Sequence, residues 1–333
     1  MSDDKSHAPV APAPSRHRAP SPPSARRTVL WWALVGVLAT AFTGYLMARY
    51  LLSAGVHLSL GTEGQRDMAT FPLARLWFYQ AACTAAFLGL TVFVLRDCRR
   101  QRRMTVNASM YLGFTVAFWV APLESWRAPF VRQNPAMIHA TGSWGQYIPG
   151  WNDNFSQPLI ESAFVSWPTI YAVGGVWVVF TVVGTKYVFL RPWPHLSGLR
   201  LALAAFASVT VIGFAAETLF IYCGGYAFDA PYLPGMDSHW YQFPVIAALG
   251  NALTWGLLPT VVLYHHHRKG PDGTVVLRGL GRLPMRLQPW AQTFALIGFI
   301  ALTTGILHTV FFWLASLTGP TPYADTSPYP MTL

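Results

Sequence analysis

The segment 28–52 is a run of about 25 residues in which Arg49 is the one charged side chain. A hydrocarbon core about 30 Å thick is crossed by roughly 20 predominantly apolar helical residues, and the run exceeds the apolar part of a cleaved signal peptide, so it reads as a retained first span. Six more apolar stretches follow, at 71–95, 105–122, 164–190, 199–222, 241–264 and 290–317. Lipid offers no partner to a free peptide group, which excludes open sheets and loops, and the stretches lack the alternation of an outer-membrane barrel. The pattern predicts an all-α fold, a polytopic transmembrane helical bundle of about seven spans with a long aromatic outer loop.

Composition supports this class. Of 333 residues 53% are apolar and 11% charged, against about 25% charged in soluble domains, too few to cover a water-facing surface. Residues 1–27 are rich in Pro, Ala and Ser without apolar periodicity, and read as a disordered cytoplasmic tail. Residues 28–320 form the seven-helix membrane domain, with a cap loop at 123–163, and 321–333 an outer C-terminal tail. With the N-terminus cytoplasmic, 18 of the 23 Lys and Arg fall on inner segments, as the positive-inside rule asks. The inner side then carries a net charge of +14 and the outer side −4. The overall +10 is therefore a topology signal of a cell-membrane protein, with no nucleic-acid partner implied. Cys83, Cys98 and Cys223 are too few and too scattered for a disulfide framework or a thiolate metal cage.

The acids gather on the side poor in cations. Glu217 lies inside the fifth stretch, where a carboxylate costs several kcal/mol and is by default a functional candidate. Its place about a turn and a half from the outer end leaves a second reading open, a side chain reaching interfacial water. The cap loop holds Trp144, Tyr147 and Trp151, then Asn152, Asp153, Asn154 and Glu161. Loops of that length in a compact domain are commonly functional, and Trp and Tyr also anchor at headgroups. The sixth stretch opens on Asp237, His239, Trp240, Tyr241 and Gln242, with Pro244 tolerated in a first helical turn. His265, His266 and His267 are consecutive; helical neighbours point about 100° apart, so they read as a solvated inner boundary and not as a metal site. His308 reads as a satisfied core histidine and Asn251 as an interhelical hydrogen-bonding group. No Walker loop, dinucleotide fingerprint, H-E-x-x-H or G-x-S-x-G occurs.

Four blocks of this sequence resemble the AveC-like spirocyclase family: Gly142-Ser143-Trp144 with Ile148-Pro149-Gly150-Trp151; Glu217 followed by Gly225-Tyr226; His239 to Pro244; and Asp272-Gly273-Thr274 with Arg278-Gly279. Family members often carry an acid shortly after the Tyr-Gln-Phe-Pro block and another before the Gly-Ser-Trp loop, where this chain has Ala247 and Ala121. The resemblance implies spiroketal formation in polyketide biosynthesis, usually in actinomycetes. A keto-diol closes to a hemiketal, an acid protonates the departing hydroxyl, and the second hydroxyl attacks the oxocarbenium ion as a base takes its proton. Two proton-handling groups suffice, and neither metal nor cofactor is expected. On this chemistry Glu217 is the acid, and Glu161 or Asp153 is the base or charge stabiliser. His239 and Tyr241 are further proton-transfer candidates that position hydroxyls with Gln242. Trp144, Tyr147, Trp151 and Trp240 would line an aromatic cavity for a hydrophobic polyketide, with Asn152, Asn154 and Asp237 as polar substrate contacts. The alternative is an exporter or self-resistance protein binding the same molecule without chemistry.

Overall fold

A computed structural model describes residues 24–53, 57–66, 68–117, 131–140, 144–151, 161–162, 184–185, 187–189, 191–228 and 249–311. The long helices are α1 (Ser24–Leu51), α3 (Thr70–Gln101) and α5 (Gly198–Tyr222), with a short α2 (Thr62–Gln65) before α3 and an eleven-residue α4 (Val106–Val116) after it. Two further helices each contain a π-helical segment. One runs over 249–269, with a π segment at Ala252–Leu257 before α6 (Leu258–Lys269); the other runs over 288–311, with α7 (Gln288–Ile300) continuing into a π segment at Ala301–His308.

Each end has a local cause. The Thr105 hydroxyl accepts the Ala108 amide at 3.2 Å and starts α4, the usual role of Thr at an N-cap. Pro259 in the first turn of α6 has no amide to give to Trp255, and the shift to π register just before it absorbs the break. Arg99 and Arg100 in the last turn of α3 complement its negative end.

Among the described residues, four helices are long and apolar enough to cross a membrane: Arg27–Leu51, Thr70–Gln101, Gly198–Tyr222 and Gln288–Phe311. They match the expected stretches 28–52, 71–95, 199–222 and 290–317, although α3 runs six residues past its apolar part. Of the expected third span the structure describes α4 and Ala117, and the expected sixth continues as helix past Tyr264 to Lys269. Most of 164–190, and 1–23, 118–130 and 312–333, lie outside the described residues. Large apolar side chains face outward on α1 (Trp31, Leu34, Leu38), α3 (Phe78, Leu88) and α5 (Leu203, Val211). A water-soluble surface rarely exposes apolar patches of that extent; a bilayer requires them.

The helix 288–311 is the centre, with 67% of its apolar window buried against 17% for α1. It meets α1 backbone to backbone: a Cβ on Gly36 would overlap the Phe294 carbonyl oxygen, and one on Gly298 the Trp32 carbonyl oxygen. α4 packs on the same helix, with Ser109 and Thr293 hydroxyls 3.1 Å apart, and the Thr43 hydroxyl of α1 donates to the Val116 carbonyl at 2.8 Å.

The fold is not purely helical. Short strands β1 (Leu58–Ser59), β3 (His139–Ala140) and β4 (Glu161–Ser162) form one antiparallel sheet, and β2 (Val131–Gln133) pairs with β5 (Tyr226–Phe228) in another. The Asn134 amide nitrogen donates to the Gly224 carbonyl at 2.7 Å, and the Ile138 amide to Gln80 Oε1 at 2.9 Å. These bonds pin part of the segment expected as loop onto α3 and the end of α5.

Gly298→Val should lower the unfolding midpoint of the detergent-solubilised protein, by about 1–3 kcal/mol on the usual scale of overpacking. Gly44→Val, at a position where an added Cβ meets nothing within 4 Å, should lower it less.

Candidate functional site

The buried residues of α5 are Leu201, Ala205, Val209, Gly213, Glu217 and Ile221. A spacing of four keeps them on one face. Glu217 takes a position on an otherwise apolar stripe and is 9% exposed, so its carboxyl faces the bundle interior and not the interfacial water. The nearest turns of the helix 249–269 are held close because a side chain on Gly256 would overlap Val209. Asn251, itself buried, donates from Nδ2 to Glu217 Oε1 at 3.3 Å. The expectation that Asn251 bonds between helices is met, and its partner is the candidate acid.

On the next turn the two π segments face one another. Trp255 Nε1 donates to His308 Nδ1 at 3.1 Å. An indole nitrogen can only donate, so Nδ1 is the acceptor and a neutral His308 ring carries its proton on Nε2. The Thr254 hydroxyl lies 3.3 Å from the same Nδ1 and also donates to the Gly250 carbonyl at 2.9 Å. Thr304 donates to the Thr254 carbonyl at 3.4 Å. His308 is 3% exposed and bonded in the core as expected.

A further group belongs to this region and has no signal in the sequence. The Tyr79 ring of α3 packs on Phe220 with centroids 5.2 Å apart. Its hydroxyl is buried beside the Cys83 thiol, within electrostatic reach of the Glu217 carboxyl and the Cys223 thiol. Arg75, one turn earlier, stacks over Tyr222 and Phe71 at 4.4 and 4.9 Å.

The cap-loop aromatics gather elsewhere. Trp144 is 2% exposed and meets Tyr50 edge-on, centroids 5.9 Å apart; Tyr147 also meets Tyr50, under Arg49. Trp151 packs with Leu46 and Ile148. These three residues dock on the end of α1, whereas Glu217 pairs with the helix 249–269. Glu161 pairs through its backbone with Ala140. Asn152, Asp153, Asn154, Asp237, His239, Trp240, Tyr241 and Gln242 lie outside the described residues, as do Ala121 and Ala247.

At the opposite end of the bundle, helix continues through the three consecutive histidines. Burial, with Arg103 and His267 nearby, pushes His266 down to about 4, and burial with Lys269 and Arg268 lowers His265. The block from Asp272 to Gly279 is a clamp: Asp272 Oδ1 accepts the Gly279 amide at 3.0 Å and the Thr274 hydroxyl accepts the Leu277 amide at 2.9 Å. It seats Val276, Leu277 and Leu280 in the core.

The class these features define is a helical bundle with an apolar exterior and an acid buried among its helices. A family model for AveC-like spirocyclases matches residues 101–332, and the chain belongs to that family. No curated protein and no solved structure matches it.

Asn251→Leu should destabilise the protein by about 1–3 kcal/mol, the cost of losing a hydrogen bond to a buried polar group. The double change Glu217→Leu with Asn251→Leu should recover part of that loss in a double-mutant cycle of thermal melts. The lowered His266 value gives a pH dependence of definite sign. The unfolded chain takes up a proton below about 6.5 while the folded one resists until about 4, so this contribution is complete above the higher value and is lost as pH falls toward the lower. His266→Gln should flatten the melting-temperature profile across that window.

Proposed function

We propose that the chain is a membrane-embedded spirocyclase that closes a spiroketal from a keto-diol, or its hemiketal, in a hydrophobic polyketide. The observation that carries this reading is a buried carboxyl, Glu217, held by the neutral amide of Asn251 at 3.3 Å, in a chain of the AveC-like family.

The first hydroxyl adds to the ketone and gives a hemiketal. Glu217 then delivers its proton to the hemiketal hydroxyl, the carbon–oxygen bond breaks and water leaves. The resulting oxocarbenium ion is attacked by the second hydroxyl, and the proton released passes to a base, restoring the acid in a later exchange. One water is lost and no oxidation level changes, so the step needs no electron carrier. Asp153 or Glu161 serves as the base, and His239, Tyr241 and Gln242 orient the hydroxyls. The bundle interior excludes bulk water that would otherwise capture the cation, and aromatic faces attract it. A substrate that partitions into lipid explains why such an enzyme is a membrane bundle. In the orientation we propose, the N-terminus and the basic ends of α3 and α6 face the cytoplasm, as the positive-inside rule requires.

In a strain deleted for the gene, open keto-diol or the wrong spiro epimer should accumulate. Wild-type protein should restore the spiroketal, and Glu217→Gln, still inserted in the membrane, should lower its formation about 10²-fold or more, the usual worth of a general acid. Mass spectrometry and NMR of the metabolites read the result. Undiminished formation by Glu217→Gln removes that carboxyl from the mechanism.

A further inference from the structure

A second site lies at the basic end of the bundle, away from Glu217. The end of α3, the turn after it, the start of α4, the end of α6 and α7 enclose a pocket of about 300 Å³. Its polar lining includes Asp97, Gln101, Arg103, Asn107, His266 and His267.

The carboxylate in this pocket is already engaged. Asp97 Oδ1 accepts from Gln101 Nε2 at 2.9 Å and Oδ2 from Asn107 Nδ2 at 3.3 Å. Gln101 Oε1 in turn accepts from Arg103 Nε and Nη2 at 3.4 and 3.3 Å. A neutral amide thus stands between the acid and the guanidinium, and Arg103 has no carboxylate partner among the described residues. The guanidinium shares the pocket with a carboxylate it does not touch, and burial, with His267 and Arg103 beside it, keeps the His266 value low.

Two further observations point to a missing partner. His266 Nδ1, which donates when it carries the ring proton, is buried with no hydrogen-bond partner among the described residues, and a buried orphan of this kind calls for a ligand, ion or water. The amides of Val106 and Asn107, both lining the pocket, open α4 and have no acceptor among the described residues. An Arg fork with helix amides beside it is suited to the several acceptor oxygens of a phosphate. Arg99 and Arg100 stand in the last turn of α3 and Arg268 and Lys269 in that of α6, a basic end of the kind at which pockets of membrane proteins meet lipid headgroups.

We propose that this pocket binds a phosphate group, either the headgroup of a phospholipid in the adjoining leaflet or a free phosphate ion, with Arg103 as its anchor.

The test uses the full chain in detergent, with dioleoylphosphatidylglycerol followed by native mass spectrometry and inorganic phosphate followed by calorimetry. Wild-type protein should bind at least one of the two probes. Arg103→Ala should bind it about tenfold more weakly, a loss of about 1.4 kcal/mol. Arg103 is exposed, so this variant keeps the fold, and Arg99→Ala, an exposed cation outside the pocket lining, should bind as wild type does. Lipid retained in the presence of phosphate identifies a headgroup site; lipid displaced by phosphate, or phosphate binding alone, identifies a site for the free ion. Equal binding by wild type and Arg103→Ala, binding of neither probe, or a loss in Arg99→Ala as large as in Arg103→Ala overturns the proposal.

Discussion

The contact between α1 and the helix 288–311 sets the terms for the rest of the bundle. Lipid tails are as apolar as leucine, so helices in a bilayer are sorted by shape and by hydrogen bonds between them. Gly36 and Gly298 remove side chains from both surfaces at the same point, letting the backbones meet where a bulkier residue on either side would hold them apart. The helix 288–311 becomes the buried axis, α4 seats on it through Ser109 and Thr293, and its π segment carries Thr304 and His308 into the interior. α1, by contrast, keeps most of its surface outward.

The polar seam follows from that arrangement. A buried polar group in an apolar interior is costly unless bonded, and the bundle answers with bonds between neighbouring helices: Asn251 to Glu217, Trp255 to His308, Thr304 to the Thr254 carbonyl. Both π segments lie in this seam, and a π turn shifts the register of the side chains beyond it. The shift before Pro259 brings Thr254 and Trp255, neighbours in sequence, to the same imidazole nitrogen. Such segments are frequent at functional sites because they trade regular helix bonding for a particular placement of side chains.

How much of this was legible depends on range. The long apolar runs located α1, α3, α5 and α7 because crossing a bilayer imposes length and composition together. Their ends were less legible: α3 continues to Gln101 through Arg96, Asp97 and Arg99, since apolarity marks the part within lipid and not the helix. Glu217 was visible as an anomaly, but the sequence left open whether it reached interfacial water; the structure puts it on the buried stripe with Gly213. Its partner was not, because Asn251 lies 34 residues away. Tyr79 carries no signal at all in an aromatic-rich span. The strands of two or three residues are too short to show a period, so the prediction of a purely helical fold failed there. The Asp272 to Gly279 block shows the opposite case, a visible motif whose side chains serve to fold a turn.

The charge asymmetry that suggested an orientation also bears on the chemistry. Basic side chains gather at the ends of α3 and α6, while at the other end Arg75 is stacked between aromatic rings. A cation bonded to a carboxyl would hold it ionised. A neutral amide donates to it without doing so, and on the proposed reading both protonation states of Glu217 must be used in each turnover. On that reading the amide of Asn251 suits the task, because it supports the carboxyl from a neighbouring helix without adding a charge of its own, while the basic turns around Arg103 lie at the opposite end of the bundle.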